Sequence, residues 1–300
     1  MTPDRVTSRS TAALLLRLCG YVCVIVFVLN ANSHIRAYRD REFVNFESGK
    51  PNSAPQQKAR HPLADLKDRV AGIPIVPRSE PGMFPKSWYD PTSPTTATDP
   101  DPSLVPLAVA GIESALRKYP DRLLKENLRK IYVVDNLQVD GVPSGGVNAP
   151  EFRTLYVDLD NLERSEVKAW AEETVHHELA HMLADNHPLL YSADAWTKLN
   201  PVGFKYGDGG TEAIRHGMDG DAITDEYWRQ GFVEQYSMSD PDEDFATLCE
   251  RLLSGDRNVV KAADRYPTLK RKEQAVFEFY HQLDPAFTED YMRGLKSSSK

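Results

Sequence analysis

The chain has 300 residues, a net charge of −8 and a sequence pI near 5.5. That length has room for one catalytic domain with additional segments, and the acidic balance argues against a nucleic-acid-binding protein, which usually presents a basic surface. Hydrophobic residues make up 41% of the chain and the mean hydropathy is −0.49, so part of the chain is expected to lie outside a core.

Residues 1–33 carry the pattern of a signal peptide or an N-terminal membrane anchor. Arginines precede an uninterrupted apolar run over residues 18–29, and Ala31-Asn32-Ser33 fits a small-residue cleavage site. Arginines lie on both sides of the run, so the positive-inside rule does not orient it. Both interpretations place the body outside the cytoplasm, either secreted or anchored, with membrane contact only through this segment.

Residues 34–103 are predicted to form a linker or an irregular wrap, because more than half of the 21 prolines lie between residues 51 and 106. Proline is excluded from helix interiors and central strands. The short apolar piece at residues 73–76 is expected to dock on the body. The folded catalytic domain is predicted over residues 104–295.

The pattern within that domain predicts an α+β fold. Apolar periodicity predicts four helices. The first covers residues 107–119. The second is long, beginning at a capping box of Asp160 and Glu163 and ending near Ala184; the third begins at Asp240, and the last covers residues 273–283. Alternating residues predict strands at 131–137 and 154–159, with a turn and a short extended piece at 145–147 between them. Residues 186–225 are expected to form a loop. This order favours a small sheet that packs on the long helix.

The long helix carries the sequence His177-Glu178-Leu179-Ala180-His181, which matches the HExxH pattern. Histidines four residues apart point the same way on a helix, so both imidazoles can bind one zinc ion at about 2 Å. Glu178 is placed to accept a proton from a water that the metal activates. A charge on its otherwise apolar stripe is costly unless it has a task. We therefore predict Zn²⁺ as cofactor, with His177 and His181 as ligands and Glu178 as catalytic base.

The third zinc ligand has two candidates. Glu243 would lie in the first turn of the second helix, although it could also complete a capping box with Asp240. His187 extends the motif to the metzincin spacing HExxHxxGxxH, except that Ala184 stands where a glycine makes the sharp turn. A non-glycine in that conformation costs about 1–2 kcal/mol. The residues alone leave both candidates open.

The two motif segments together resemble gluzincin peptidases of the anthrax lethal factor type, which include the Pro-Pro endopeptidases. The resemblance covers roughly residues 131–253 and rests on the HExxH helix and on Tyr236, which precedes Glu243 of a Glu-x-Phe-Ala helix by seven residues. It implies Glu243 as third zinc ligand, carried by a helical C-terminal subdomain, and Tyr236 as the catalytic residue that stabilises the oxyanion. Ala180 replaces the glycine of many such motifs, and residues 186–235 have no counterpart in it, so substrate preference is not transferred.

These features predict a zinc-dependent endopeptidase that hydrolyses peptide bonds outside the cytoplasm, with a peptide or protein as substrate. An extended substrate is expected to pair with a sheet edge near Val147. Two alternatives remain at this point. One is a metzincin-type peptidase that uses His187, and the other is an exported, zinc-stabilised pseudoenzyme that acts as a binding module. An intact Glu178 and the candidate Tyr236 favour the enzyme over the pseudoenzyme.

Overall fold

The structure is a computed structural model, and it describes residues 70–296 except 90, 91, 93, 208 and 219. The predicted signal peptide or anchor at residues 1–33 lies outside the described residues. All described residues belong to one unit, which spans residues 59–300. No helix of the described part is long and apolar enough to cross a membrane.

Helices and strands follow the mixed order that the sequence indicates, and the α+β prediction is confirmed. The strands are β1 (Ile75–Val76), β2 (Thr96–Thr98), β3 (Lys130–Val139), β4 (Val142–Pro143), β5 (Gly146–Ala149) and β6 (Thr154–Asp158). The helices are α1 (Val105–Leu116), α2 (Asp121–Asn127), α3 (Val167–Asn186), α4 (Ala193–Thr197), α5 (Gly210–Arg215), α6 (Asp225–Gln230), α7 (Pro241–Ser254), α8 (Arg257–Arg265), α9 (Pro267–Leu283) and α10 (Glu289–Gly294).

The sheet has the order β1-β3-β6-β5, and β2 and β4 pair with the second half of β3. β1 and β6 run parallel to β3, whereas β5 is an edge strand antiparallel to β6. Successive side chains of a strand point to opposite faces. One face therefore joins the large helical core, and the other joins a smaller cluster that includes Tyr132 and Tyr156.

The proline-rich stretch contributes to this second face. Met83 and Phe84 are buried against the stacked rings of Tyr132 and Tyr156, and Trp88 packs on the same cluster. The expected docking of residues 73–76 is confirmed, since β1 pairs in parallel with β3. The described residues between 70 and 103 thus pack over the sheet and already belong to the folded unit, ahead of the boundary at residue 104 that composition suggests.

Helix α3 lies between α1, α7 and the sheet. It crosses α1 closely at Gly111, where a Cβ atom would lie 2.2 Å from the Lys168 carbonyl oxygen. Lys118, two residues after the end of α1, makes a buried ion pair with Glu172 of α3 at 2.6 Å and donates to the Leu253 carbonyl of α7 at 2.6 Å. The three helices are therefore joined by packing and by a shared buried cation.

The predicted start of α3 is wrong, because the helix begins at Val167 and not at the capping box of Asp160 and Glu163. Asn161 has a φ of 59°, a left-handed conformation that a right-handed helix does not contain. The chain therefore turns after β6 before the helix can begin. The end near Ala184 agrees with the observed end at Asn186 within two residues.

The described residues of the predicted loop, residues 186–225, are not all irregular, since they contain the short helices α4 and α5, and α6 begins at its end. Their anchor is Asp244 of α7, which is 1% exposed. Its Oδ2 atom accepts hydrogen bonds from Trp196 Nε1 at 2.8 Å, Tyr206 OH at 2.6 Å and Lys272 Nζ at 2.6 Å. Lys272 is itself fully buried and also donates to the Gly231 carbonyl at 2.8 Å. One buried carboxylate thus fastens this long segment to α7.

Candidate metal centre

The first two donors come from the HExxH segment of α3. His177 and His181 lie one turn apart, and their Nε2 atoms are 3.2 Å from each other. Both side chains are largely buried, with 14% and 18% of their surface exposed. The helix therefore presents two imidazole nitrogens to one point, as the spacing predicts.

The third donor comes from the first turn of α7. The Glu243 Oε2 atom lies 3.1 Å from His177 Nε2 and 3.3 Å from His181 Nε2. Asp240 caps the helix by accepting a hydrogen bond from the Asp242 backbone N–H at 2.8 Å, and Pro241 begins it. Glu243 is therefore not needed as a capping-box partner, and its carboxylate faces the two histidines.

These three atoms have the spacing that a zinc site requires. Tetrahedral ligands at zinc distances of 2.0–2.1 Å are separated from one another by about 3.3–3.4 Å. The observed separations are 3.1, 3.2 and 3.3 Å. Two imidazole nitrogens and a carboxylate oxygen are ordinary zinc donors. Among the described residues, His177, His181 and Glu243 form the one group of three side chains that could hold a metal ion.

The electrostatics of the group favour a cation at its centre. Burial opposes charge on the Glu243 carboxyl, but the facing imidazoles of His181 and His177 outweigh it and hold its pKa well below the usual range. Burial also opposes charge on His177, and the carboxylates of Glu243 and Glu250 nevertheless raise its pKa well above the ordinary value. The carboxylates thus create a strongly negative potential at the imidazoles.

Glu250 is a site residue that the sequence reasoning missed. Its Oε2 atom lies 3.1 Å from His177 Nδ1, so the ring can donate this N–H and keep the Nε2 lone pair free for a metal. Glu250 follows Glu243 by seven residues, which is two turns of one helix face. That spacing was the signal that could have found it.

Arg251 holds Glu250 within a buried charge cluster. Its guanidinium lies 3.2 Å from Glu250, 3.3 Å from Glu173 and 3.3 Å from Glu234. Burial raises the pKa of both Glu173 and Glu234 to about 7. This cluster joins α3, α7 and the segment before Tyr236 directly behind His177.

Glu178 points to the same centre from the sheet side of α3. It is 8% exposed, and burial raises the pKa of its carboxyl although the neighbouring histidines oppose this. A Cβ atom on Gly146 would lie 3.1 Å from Glu178 Oε1 and 2.5 Å from Thr174 Cγ2. The backbone of edge strand β5 therefore passes directly beside the Glu178 carboxylate, and only glycine fits there.

Tyr236 stands in a single 3-10 turn, Tyr236–Met238, just before α7. The centroid of its half-buried ring is 6.4 Å from that of His177. Burial, followed by the charge of Glu243, raises the pKa of the phenol well above its usual value. The hydroxyl is thus kept protonated beside the centre. Its backbone N–H donates to the Gly220 carbonyl at 3.3 Å, which holds the turn in place.

His187, the alternative third ligand, lies elsewhere. Its Nε2 atom is 3.1 Å from Asn127 Oδ1, and its backbone N–H donates to the Leu183 carbonyl at 3.0 Å. These contacts direct its ring to α2, so it is not part of the group of three. The residues that the sequence assigned to the site, His177, Glu178, His181, Tyr236 and Glu243, are all brought together.

The fold and this site define a class, namely an α+β protein whose HExxH helix contributes two histidines to a group that could hold a metal ion. The chain belongs to the family described as "Putative zinc-binding metallo-peptidase", whose model matches residues 131–293. It is similar to a crystal structure described as "a putative zinc-binding metallo-peptidase" from Bacteroides caccae. That similarity has 18% sequence identity and a TM-score of 0.45, and it covers 74% of this chain and 83% of that one. A comparison with curated proteins finds no match.

Proposed function

We propose that the protein is a zinc endopeptidase of the gluzincin type, with His177, His181 and Glu243 as metal ligands. The observation that carries the proposal is the triangle of donor atoms, whose sides of 3.1–3.3 Å fit one tetrahedral zinc ion. The resemblance to lethal factor and Pro-Pro endopeptidases supports the same ligand set. Zinc bound there would supply a Lewis acid that activates water for attack on a peptide carbonyl.

Glu178 is proposed as the general base. Its carboxylate accepts the proton of the attacking water and can pass it to the leaving amine. A base works best when its pKa is near the working pH, and burial moves the pKa of Glu178 upward in that direction. The close backbone of β5 keeps the carboxylate in place from one side.

Tyr236 is proposed as the residue that stabilises the oxyanion. Its protonated hydroxyl donates a hydrogen bond to the carbonyl oxygen as negative charge develops there. Such donors act mainly in the transition state, because the charge that they contact is largest at that point. The position of its ring beside His177 supports this role.

The substrate strand is proposed to add to β5. This strand pairs with β6 on one side and forms the end of the described sheet, so its other edge can accept an extended peptide. Because β5 runs beside Glu178, a peptide paired there would carry its backbone along the metal centre. This is the edge near Val147 that the sequence indicates.

We further propose that the enzyme works outside the cytoplasm on peptides or unfolded proteins. The support is the signal-peptide or anchor pattern of residues 1–33, with apolar residues 18–29 between arginines. Processing at Ala31-Asn32-Ser33 would release the domain, and retention of the segment would anchor it. N-terminal sequencing of the exported protein distinguishes the two.

The test of the function is hydrolysis of an unfolded protein such as casein. The parent should cleave it, a chelator should stop cleavage, and added zinc should restore it. Glu178→Gln should keep its zinc and its unfolding midpoint but lose about 10²–10⁴-fold in rate, because the amide cannot accept a proton. Cleavage by Glu178→Gln within a few-fold of the parent would overturn the mechanism. A zinc-loaded parent that cleaves nothing would favour the pseudoenzyme.

A further inference from the structure

A cavity of ≈ 270 Å³ opens beside the metal centre, and the ligand His181 lines it. Its apolar lining includes Ala184 of α3 and Phe245 of α7, and Tyr191 packs on Phe245 with ring centroids 4.5 Å apart. Pockets that enclose drug-sized ligands measure roughly 300–1,000 Å³. This cavity is smaller, and its size suits one substrate side chain.

Two carboxylates line the same cavity, Asp185 at the end of α3 and Asp242 in the first turn of α7. The hydrogen-bond partner of Asp242 is neutral, since its Oδ1 atom accepts from Tyr191 OH at 2.7 Å. No lysine or arginine lines the cavity, and within the described chain neither aspartate takes part in an ion pair. Both carboxylates are partly exposed to solvent, and neither has a cationic partner among the described residues.

A bound zinc ion would not supply the missing positive charge. Its two charges are matched by the ligand Glu243 and by Glu178, and the histidine ligands are neutral. The balance beside the centre is then +2 for the ion, −2 for these two glutamates and −2 for Asp185 and Asp242. The cavity keeps a net charge of about −2 next to the reacting bond.

Building on the proposed peptidase function, we propose that this cavity receives an arginine or lysine side chain of the substrate, one residue from the scissile bond. The aliphatic stem would lie along Ala184 and Phe245. The cationic head would meet Asp185 and Asp242 and form charge-assisted hydrogen bonds. A neutral side chain would leave both charges unpaired, and an acidic one would be repelled. The two aspartates are thus specificity-determining residues.

The experiment measures binding, so it does not depend on turnover. Zinc-loaded Glu178→Gln is titrated with fluorescent peptides that carry arginine or its neutral analogue citrulline at one position, scanned on both sides of a central bond. We expect the arginine peptide to bind about tenfold tighter at one position, which exceeds the roughly two- to fivefold effect of a single exposed ion pair. The citrulline peptide controls for size and shape.

The preference should depend on the two aspartates. Adding Asp185→Asn or Asp242→Asn should reduce the arginine-to-citrulline ratio at least threefold, and the double variant should bring it near one. Asp194→Asn is the matched control, because this exposed aspartate of α4 does not line the cavity. Its ratio should stay at the parent value.

Zinc content and unfolding midpoints are measured for each variant. If the change at Asp242 disturbs the neighbouring ligand Glu243, the arginine-to-citrulline ratio of Asp185→Asn alone decides.

Equal binding of both peptides at every position, or a ratio that Asp185→Asn does not change, overturns the pocket assignment. An equal fall in Asp194→Asn would indicate a general electrostatic effect and overturn it too. Failure of the peptidase function looks different, since the parent would then bind arginine peptides selectively but hydrolyse none.

Discussion

The two helices that carry the proposed zinc ligands, α3 and α7, position these side chains by different physical means. In α3 the proposed ligands His177 and His181 are positioned by the spacing within one helix. In α7 the position of Glu243 depends on distant contacts, because the next residue, Asp244, is buried against Lys272 of α9 and Trp196 of α4. The positions of His177 and His181 therefore follow from local sequence, whereas the position of Glu243 follows from tertiary packing. Substitutions behind α7 should therefore affect both stability and metal binding.

The largest effect should follow from breaking the anchor of α7. Asp244→Asn leaves Lys272 fully buried without its carboxylate, and loss of one partner of a buried ion pair costs about 3–5 kcal/mol of unfolding free energy. Denaturant unfolding of the metal-free protein measures this loss. Because Glu243 is the neighbouring residue, zinc affinity should fall as well.

The matched control is Glu126→Gln, which removes an exposed ion pair with Arg122. Exposed pairs contribute less than about 1 kcal/mol, so its unfolding midpoint should stay near the parent value. If Asp244→Asn unfolds like this control, the buried pair does not hold α7 and the contrast between the two helices is lost.

The second effect tests whether Tyr236 acts in catalysis or only in packing. Tyr236→Phe should lower kcat by about 10²–10³-fold with unchanged zinc content, since a lost oxyanion donor acts on the transition state. Steady-state hydrolysis of a peptide by zinc-loaded parent and variant measures it. A kcat equal to that of the parent, or a loss explained by reduced stability, would assign Tyr236 to packing alone.

Locally encoded features were the ones that the sequence predicted well. Strands β3 and β6, the pairing of His177 with His181 and the end of α3 all follow from periodicity within short segments. The predicted start of α3 is wrong because Asn161 has a left-handed conformation, so no helix begins at the capping box of Asp160 and Glu163. The cluster around Asp244 could not be predicted, because it joins residues up to 48 positions apart through burial rather than through a motif.

A smaller effect on zinc binding is expected from Glu250, which contacts His177 Nδ1. Glu250→Gln should weaken zinc binding about 10–100-fold, as is typical when the hydrogen-bond partner of a ligating histidine is lost. Competition with a chelator gives the zinc Kd. The spectrum of the Co²⁺-substituted protein should also change, because the orientation of His177 is altered.

Glu173→Gln is the control for Glu250, because Glu173 contacts the same Arg251 but does not touch His177. It should change the zinc Kd less than threefold. Equal weakening in both variants would mean that the charge cluster supports the fold and does not orient His177.

The central claim is that Glu243, and not His187, completes the zinc site. The direct measurement is metal content after dialysis of the parent, Glu243→Ala and His187→Ala. We expect near-stoichiometric zinc in the parent and in His187→Ala, because His187 contacts Asn127 away from the centre. Glu243→Ala should lose most of its zinc, because two histidines alone hold the ion weakly. A full zinc complement in Glu243→Ala, or loss of zinc in His187→Ala, would contradict the assignment and the gluzincin resemblance with it.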